Sequence, residues 1–348
     1  MKRLALALVV FMSCLFHAPL FSASMEQPQI LSSEKSRPRA ELGPTQVSIV
    51  LWIADIPRID SVAQTFSADV IFVLRWRDPS LAHGEPHFRR YNLNDIWNPH
   101  WQVVNAAGVP SSSLPEVVQV AGDGTVAYRQ RFYGTFAQST DLHDFPFDAG
   151  SFRIHFMALG QSPAEVRFVP YQVKVSEGFP PGLGMTPNLT IQDWQVHKPR
   201  AFPLSFSFSP GMEFAGYAVE FKAERLSWHY TAKVILPLLL IVMMSWAAFW
   251  LDSSMGAAQL GVATSSMLTL IAYRFSVGAD VPKIPYLTKL DSFILISSIL
   301  IFFTLIEVIV TTTLTFKKRQ DLSKKIDHYC RVCFPLAYAV ILTAIMLF

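Results

Sequence analysis

The chain has two parts with different patterns of hydrophobic and polar residues. From Thr45 to Ala223, short runs rich in β-branched and aromatic residues alternate with turn signals such as AGDG at 121–124 and PPG at 180–182. Several such runs, with no helical period between them, predict an antiparallel β-sandwich. We therefore expect an extracellular β domain over residues 45–227.

Four long apolar segments follow this domain. Each is close to the ~20 residues that cross a ~30 Å hydrocarbon core as a helix, which predicts transmembrane helices at about 229–251, 256–278, 291–316 and 329–348. Pro237 interrupts the first segment and removes one helical hydrogen bond. Membrane helices tolerate this where a neighbour satisfies the freed carbonyl, so Pro237 indicates the interior of a four-helix bundle at 228–348.

The amino-terminal residues 1–24 have the layout of a secretory signal peptide. The basic pair Lys2 and Arg3 precedes an apolar run and small residues at 22–24. A first membrane span and a lipoprotein signal at Cys14 are the alternative interpretations. Residues 25–44 are rich in Ser, Pro and charge, which is typical of a flexible leader.

A basic loop between the third and fourth predicted helices indicates the orientation in the membrane. Its cations are Lys317, Lys318, Arg319, Lys324 and Lys325. The positive-inside rule keeps such a loop in the cytoplasm. An exported amino terminus followed by three crossings gives the same result. We expect a multi-pass protein of the cell inner membrane, with the β-sandwich on the periplasmic or extracellular side and lipids around the helices.

Composition excludes several classes of protein. Charged residues make up 16% of the chain, below the ~25% of soluble domains, and a net charge of +3 gives little reason to expect nucleic acid binding. Outside the predicted signal, the cysteines are Cys330 and Cys333, without the second pair that a zinc site needs. No hydrolase, zinc-protease or phosphate-loop motif occurs, so we expect neither an enzyme nor a cofactor.

The second predicted helix is rich in small and hydroxyl side chains. At steps of four and three residues, one helical stripe is formed by Gly261, Ser265, Leu268, Ala272, Phe275 and Ala279. Small residues can also mean close helix packing. Several copies around an axis would instead form a pore with an apolar constriction between Leu268 and Phe275, which can close by dewetting. This interpretation requires an oligomer.

Four motifs, in order, carry a family resemblance. They are WNP at 97–99, FPFD at 145–148, Arg225 upstream of Pro237, and VPKIPYLT at 281–288. With them, the chain from about Thr45 to Phe348 resembles the pentameric ligand-gated ion channels, the Cys-loop receptor superfamily, in its bacterial branch. The resemblance implies a pentamer, which in a homomer means four further identical subunits. It also implies that a small-molecule agonist binds between neighbouring sandwiches and that inorganic ions pass through the pore. The two cysteines that name the superfamily map to Gln138 and Phe152, so the bridge is absent.

The resemblance also implies residues that couple the sandwich to the pore. In this sequence they are Asp60, Phe145, Pro146, Asp148, Arg225, Pro282, Lys283, Pro285 and Tyr286. A guanidinium held between the carboxylates of Asp60 and Asp148 would form a clamp. In the alternative, Arg225 extends to lipid headgroups and Asp148 is a turn residue.

The sequence leaves the chemical identity of the agonist open. Ile71 and Leu159 stand where amine-binding relatives usually place tryptophan, which puts a cationic agonist in doubt. The candidate ligand-binding residues are Trp52, Tyr128, Arg129, Arg131, Leu159, Phe214 and Tyr217. Each is also compatible with ordinary sandwich packing. With two arginines in the set, a carboxylate is as reasonable as an amine, and gating by protons is a third possibility.

Two further questions stay open. The run Gly256–Gln259 at the inner mouth carries no charge, while Asp252 and Asp280 favour cations and the linker length favours anions. Glu307 is a carboxylate inside the third predicted helix, where it either contacts hydroxyls of the second helix or is protonated. A membrane-anchored binding receptor without a conducting pore is the alternative function.

Overall fold

The computed structural model describes residues 36–278 and 284–347. The predicted signal peptide and most of the predicted leader lie outside the described residues. The part of the chain that the structure describes contains a β-sandwich followed by four long helices, as predicted. The strands are β1 (Thr45–Asp60), β2 (Thr65–Arg77), β3 (Arg89–Asn92), β4 (Trp101–Val103), β5 (Ser111–Ser112), β6 (Val117–Val120), β7 (Thr125–Ala137), β8 (Ala149–Ala158), β9 (Val166–Pro170), β10 (Leu183–Met185), β11 (Trp194–Val196), β12 (Arg200–Ser209) and β13 (Met212–Arg225).

The strands form two sheets. The larger sheet has the order β10-β1-β2-β7-β6-β3, with β5 on β7 and β9 on β1, and the smaller has the order β11-β13-β8-β4, with β12 on β13. Most pairs are antiparallel, but β1 pairs in parallel with both β9 and β10. The sandwich is therefore mainly, rather than wholly, antiparallel.

Strict alternation along the strands builds the core of the sandwich. In β7, Tyr128, Phe132 and Phe136 point inward and are fully buried, whereas Arg129 and Arg131 on the intervening positions are exposed. Successive side chains of a strand face opposite sides of the sheet, so one face of β7 packs and the other remains available. This alternation decides which candidate ligand residues lie at the surface.

An aromatic cluster surrounds Phe152, one of the two positions at which the family resemblance implies a cysteine. Phe152 stacks on Phe221 with ring centroids 5.4 Å apart and also contacts Phe66. Gln138, at the other cysteine position, accepts a hydrogen bond at its side-chain oxygen from the backbone N–H of Arg153. Packing and a local hydrogen bond therefore close the loop that contains FPFD.

The four helices are α1 (Trp228–Trp250), α2 (Gly256–Val277), α3 (Lys289–Phe316) and α4 (Gln320–Leu347). All four contain segments long and apolar enough to cross a membrane. Helix α4 begins before residue 329, where the sequence predicted it, because its first turns have a packing face. Ser323 and Asp327, four residues apart, are both buried.

The irregular start of α1 is stabilised by α2. Thr231–Ile235 form a π-helical turn just before Pro237. Pro237 has no N–H to offer to the carbonyl of Lys233. The hydroxyl of Tyr273 lies 3.3 Å from that carbonyl oxygen and donates at 2.7 Å to the carbonyl of Val234. A neighbouring helix thus supplies the donor, as expected from the sequence.

Candidate functional site

The connection between β7 and β8, residues 138–148, ends in the FPFD motif and is here called the FPFD loop. It lies at the base of the sandwich and packs into the helical bundle. Leu142 and Phe145 are fully buried and belong to the core of the bundle, together with Leu238 and Leu290. The carbonyl of Phe145 accepts the backbone N–H of Leu290 at 3.1 Å, and that of His143 accepts the N–H of Lys289 at 2.9 Å. The first N–H groups of a helix lack partners within the helix, so this loop completes the start of α3.

Side chains reinforce the same junction. The Tyr286 hydroxyl accepts the backbone N–H of Leu142 at 3.1 Å, and its ring stacks on His143 at 4.1 Å between centroids. The ammonium of Lys289 lies 2.9 Å from a carboxylate oxygen of Asp144. Hydrogen bonds from the backbone and side chain of His143 lower the pKa of Asp141. The loop before α3 and the FPFD loop therefore form one continuous contact.

Arg225 forms a clamp at the end of β13. Its Nε donates to Asp148 at 2.7 Å, and Nη2 donates both to the other oxygen of Asp148 at 3.1 Å and to the Ser61 hydroxyl at 2.6 Å. The guanidinium also lies over the Trp194 ring at 4.2 Å and the Phe145 ring at 5.0 Å. Only 6% of the Arg225 side chain and 3% of the Asp148 side chain is exposed. Arg225 does not extend to lipid headgroups.

The expected second carboxylate of the clamp is replaced by a hydroxyl. Asp60 pairs with Arg58 at 2.5 Å and accepts the backbone N–H groups of Val62 and Ala63. These bonds fix the turn between β1 and β2, and that turn presents Ser61 to Arg225. The prediction that Arg225 lies between two carboxylates is therefore wrong. Sequence gave no signal for Ser61 beyond its position next to Asp60.

The other coupling candidates are distributed around this junction. Pro146 is buried beside Phe145, and Pro285 is exposed next to Tyr286. Pro282 and Lys283 lie outside the described residues, as do Ala279 and Asp280.

The stripe on α2 faces away from its own subunit. Within the described part of the helix, the stripe positions are exposed, Leu268 by 69% and Phe275 by 84%. The opposite face contains Ala263, Ser266 and Leu270, which are buried against the other helices. The exposed face of one subunit is therefore available for the interior of an oligomer. Gln259 is buried and does not contribute to that face.

Two candidate ligand residues lie in the core and cannot reach a subunit boundary. Burial raises the pKa of Tyr128 to about 12, and its hydroxyl is 3.2 Å from Glu116. Burial likewise raises the pKa of Tyr217 to about 12. Both rings point inward because successive side chains of a strand face opposite sides of the sheet, and these two positions face the core. For these residues the packing interpretation is correct.

Trp52 and Arg131 are engaged within the subunit. Trp52 covers Gly184 on the neighbouring strand, and its indole N–H donates to Thr186 at 3.2 Å. Arg131 binds Asp69 through Nε and Nη2, the latter at 2.6 Å, and this carboxylate raises the pKa of the guanidinium. A ligand would have to compete with these partners.

The remaining candidates lie on two different sheets. Leu159 follows β8 and is 43% exposed, while half-buried Phe214 belongs to the β12–β13 hairpin. The N–H of Ala215 donates to the carbonyl of Gln161, which holds the hairpin against the loop of Leu159. Arg129 lies on the larger sheet, so a single subunit does not bring Phe214 and Arg129 onto the same sheet.

Arg129 lines an open cavity that sequence reasoning did not find. The cavity has a volume of about 570 Å³ and lies at the β3–β6 edge of the larger sheet. Arg90 and Asp95 also line it, and Arg129 donates to the side chain of Gln119 at 2.6 Å. Arg90 and Gln119 face each other in the register of β3 and β6. Only that pairing of distant strands places the two arginines on one cavity.

Comparison with known proteins agrees with this architecture. The family model for the neurotransmitter-gated ion-channel ligand binding domain matches residues 29–191, and that for the neurotransmitter-gated ion-channel transmembrane region matches residues 234–325. The chain is 24% identical over 301 residues to a proton-gated ion channel of Gloeobacter violaceus, covering 80% of that protein. It is 24% identical over 327 residues to a gamma-aminobutyric acid receptor subunit beta-like protein of Drosophila melanogaster, covering 63% of that protein.

The two models account for most of the chain in the order that the motifs predicted. Residues 29–191 contain the strands β1–β10 and the FPFD motif, and residues 234–325 contain most of α1, all of α2 and α3, and the start of α4. The chain is not an enzyme. It belongs to the neurotransmitter-gated ion channels and is a multi-pass subunit of a pentameric, ligand-gated ion channel.

Proposed function

We propose that five identical copies of this chain surround a pore lined by α2. The support is the exposed stripe of Gly261, Ser265, Leu268, Ala272 and Phe275, which the subunit itself leaves uncovered. In this arrangement, Leu268 and Phe275 form the apolar constriction, and Ser265 offers hydroxyls to ions on the cytoplasmic side of it. The α2 exposure is the single observation that carries the proposal.

We further propose that the clamp and the FPFD loop transmit ligand binding to the pore. Arg225 joins the last strand of the sandwich to Asp148 and Ser61, and it is followed directly by α1. Tyr286 and Lys289 join the same loop to the start of α3. A displacement of the sandwich therefore acts on α1, which precedes the pore-lining helix α2, and on α3, which follows it.

For orientation, we propose that the sandwich lies on the periplasmic side of the cell inner membrane. The basic loop Lys317–Arg319 between α3 and α4 supports this, because it lies at the opposite end of α3 from the junction with the sandwich.

For the ligand, we propose a small molecule with a carboxylate that binds Arg129 and Arg90. Arg131 is already paired with the carboxylate of Asp69, whereas Arg129 donates to the neutral side chain of Gln119. γ-Aminobutyric acid is the first probe, since one relative is named a gamma-aminobutyric acid receptor subunit beta-like protein and Asp95 can face the ammonium group of this compound. Arg129→Gln is expected to raise the half-maximal concentration about tenfold to a hundredfold, as for loss of a charged hydrogen bond of about 1.5–3 kcal/mol.

Concentration–response curves from reconstituted channels measure this effect, and the matched control is Arg131→Gln. That variant loses the Asp69 pair and is expected to change stability more than the response. Equal responses of wild type and Arg129→Gln to γ-aminobutyric acid would contradict the carboxylate site. Opening by acid steps alone would favour protons as the stimulus.

The pore is tested with two neighbouring serines of α2. Ser265 is exposed on the stripe, and Ser266 is fully buried on the opposite face. In a background without Cys330 and Cys333, a charged, membrane-impermeant thiol reagent is expected to modify Ser265→Cys and to block ion flux. Ser266→Cys, the matched control, is expected to remain unmodified.

Modification is measured by mass shift and flux by recording in bilayers. The proposal fails if Ser265→Cys is protected in open channels while residues on other faces react. A membrane-anchored receptor without a pore would bind ligand normally and show no flux in any variant.

A further inference from the structure

An acidic pair is buried where three helices meet, at the end of the bundle away from the sandwich. Glu307 lies on α3 and is 8% exposed, and Asp327 lies on α4 and is 2% exposed. The two carboxyl groups are within hydrogen-bonding reach of each other, and Gln259 of α2 adjoins Asp327. Gln259 is itself fully buried. The pair therefore contacts the helix that carries the exposed stripe.

The pair has acceptors but few donors. Among the described residues, both carboxyl oxygens of Glu307, one of Asp327 and the side-chain oxygen of Gln259 are buried without a hydrogen-bond partner. The amide nitrogen of Gln259 is already used, because it donates to the carbonyls of Ala248 and Leu251. Buried polar atoms are usually hydrogen-bonded, so this group of oxygens points to a missing donor.

The charged groups near the pair do not supply that donor. Arg331, one turn along α4, donates through Nε to the carbonyl of Phe249 at 2.7 Å, and its guanidinium lies over the Trp250 ring. Lys324 is directed to Asp252 of the α1–α2 connection, at 3.9 Å. The other titratable neighbours are Asp252 and the thiol of Cys330. Neither of these contributes a positive charge.

A hydrogen bond between two carboxyl groups requires a proton. An ionised carboxylate only accepts, so two ionised groups in contact would repel and would both lose their hydration. We propose that Glu307 and Asp327 together bind one proton, which forms a hydrogen bond between α3 and α4. Two groups that share a site release their protons as a pair rather than independently.

This proton site is connected to the inner end of the pore-lining helix. Gln259 adjoins Asp327 and donates to the carbonyls of Ala248 and Leu251 at the α1–α2 connection. Loss of the proton leaves two like charges between α3 and α4 and removes one hydrogen bond between them, while that of Ser323 with Thr311 remains. The site lies far along α3 from the ligand cavity and the clamp. It acts on the bundle whether or not the ligand proposal is correct.

The test is infrared spectroscopy of the full-length protein in lipid, combined with isosteric variants. Wild type is expected to show the carbonyl-stretch band of a protonated, buried carboxylic acid at neutral pH, which decreases at alkaline pH. Glu307→Gln and Asp327→Asn are each expected to abolish the band, because one remaining carboxylate can accept from the new amide. Asp252→Asn, the exposed neighbour, is the matched control and is expected to retain it.

A second measurement covers variants that assemble poorly. The melting temperature of the solubilised wild-type pentamer is expected to fall between neutral and alkaline pH, and this fall is expected to be absent in the double variant Glu307→Gln/Asp327→Asn. Absence of the band from wild type at neutral pH overturns the proposal. Persistence of the band in both single variants, or an identical loss of melting temperature in the double variant, also overturns it.

Discussion

Buried charged residues lie at both ends of the transmembrane domain, but the partners that they contact differ. At the outer end, Arg225 meets Asp148 and Ser61, and its Nε and Nη2 donate to these partners. At the inner end, Glu307 meets Asp327, and both are acidic. Removing charges from water is costly in both cases, but a cation donates directly to the buried carboxylate in the first cluster, whereas Arg331 near the second donates to the carbonyl of Phe249. The difference teaches that buried charged residues can either join two elements through a permanent ion pair or form a site that binds and releases a proton.

The largest effect is expected from removing the cation of the outer cluster. Arg225→Ala leaves the buried carboxylate of Asp148 without a counter-charge, and breaking a buried pair in this way costs about 3–5 kcal/mol. We expect evoked current to be abolished and the melting temperature of the solubilised pentamer to fall, while protein still reaches the membrane. Bilayer recording, thermal melting and surface labelling check these three outcomes.

Two control substitutions in the same cluster are expected to reduce stability less, according to the contacts that each removes. Ser61→Ala removes one hydrogen bond to Arg225 and is expected to cost about 1 kcal/mol. Asp60→Asn keeps the oxygen that accepts the turn's backbone N–H groups, so its effect is expected within about 0.5 kcal/mol. A stronger effect of Asp60→Asn than of Ser61→Ala would show that Asp60, rather than Ser61, interacts with Arg225. Wild-type current from Arg225→Ala would refute the clamp.

The same chemical change at the two ends sharpens the comparison. Asp148→Asn removes the charge that compensates Arg225 and is expected to cost about 1.5–3 kcal/mol. Glu307→Gln instead provides an amide donor for Asp327, so at neutral pH its effect is expected within about 0.5 kcal/mol. Thermal melting of both variants at one pH measures the contrast. Equal losses at the two positions would mean that Glu307 is an ordinary ionised partner.

Much of the architecture was predictable because it depends on local patterns. The alternation in β7 predicts its inward aromatic residues, and uninterrupted apolar segments predict the four helices. The stripe of α2 follows from helical periodicity, and the residues opposite to it are indeed buried. The start of α4 was missed because the apolar signal begins late, whereas its first turns pack through Ser323 and Asp327.

The candidate site was only partly predictable. The motifs led to Phe145, Asp148, Arg225 and Tyr286, which the structure brings to one junction. For Tyr128 and Tyr217 the sequence left both ligand contact and sandwich packing open, and the structure buries both rings because their strand positions face the core. The cavity of Arg90 and Arg129 was missed because it depends on the register of β3 with β6.

The sequence by itself determined the β domain, the four spans and the exposed stripe, since strand alternation, helix period and hydrocarbon thickness act on neighbouring residues. Tertiary structure decided the partners: Ser61 rather than Asp60 for Arg225, Tyr273 for the carbonyls freed near Pro237, and Asp327 for Glu307. Those pairs join elements far apart in the chain. Their formation depends on how the elements pack and in which register, and no local pattern encodes either.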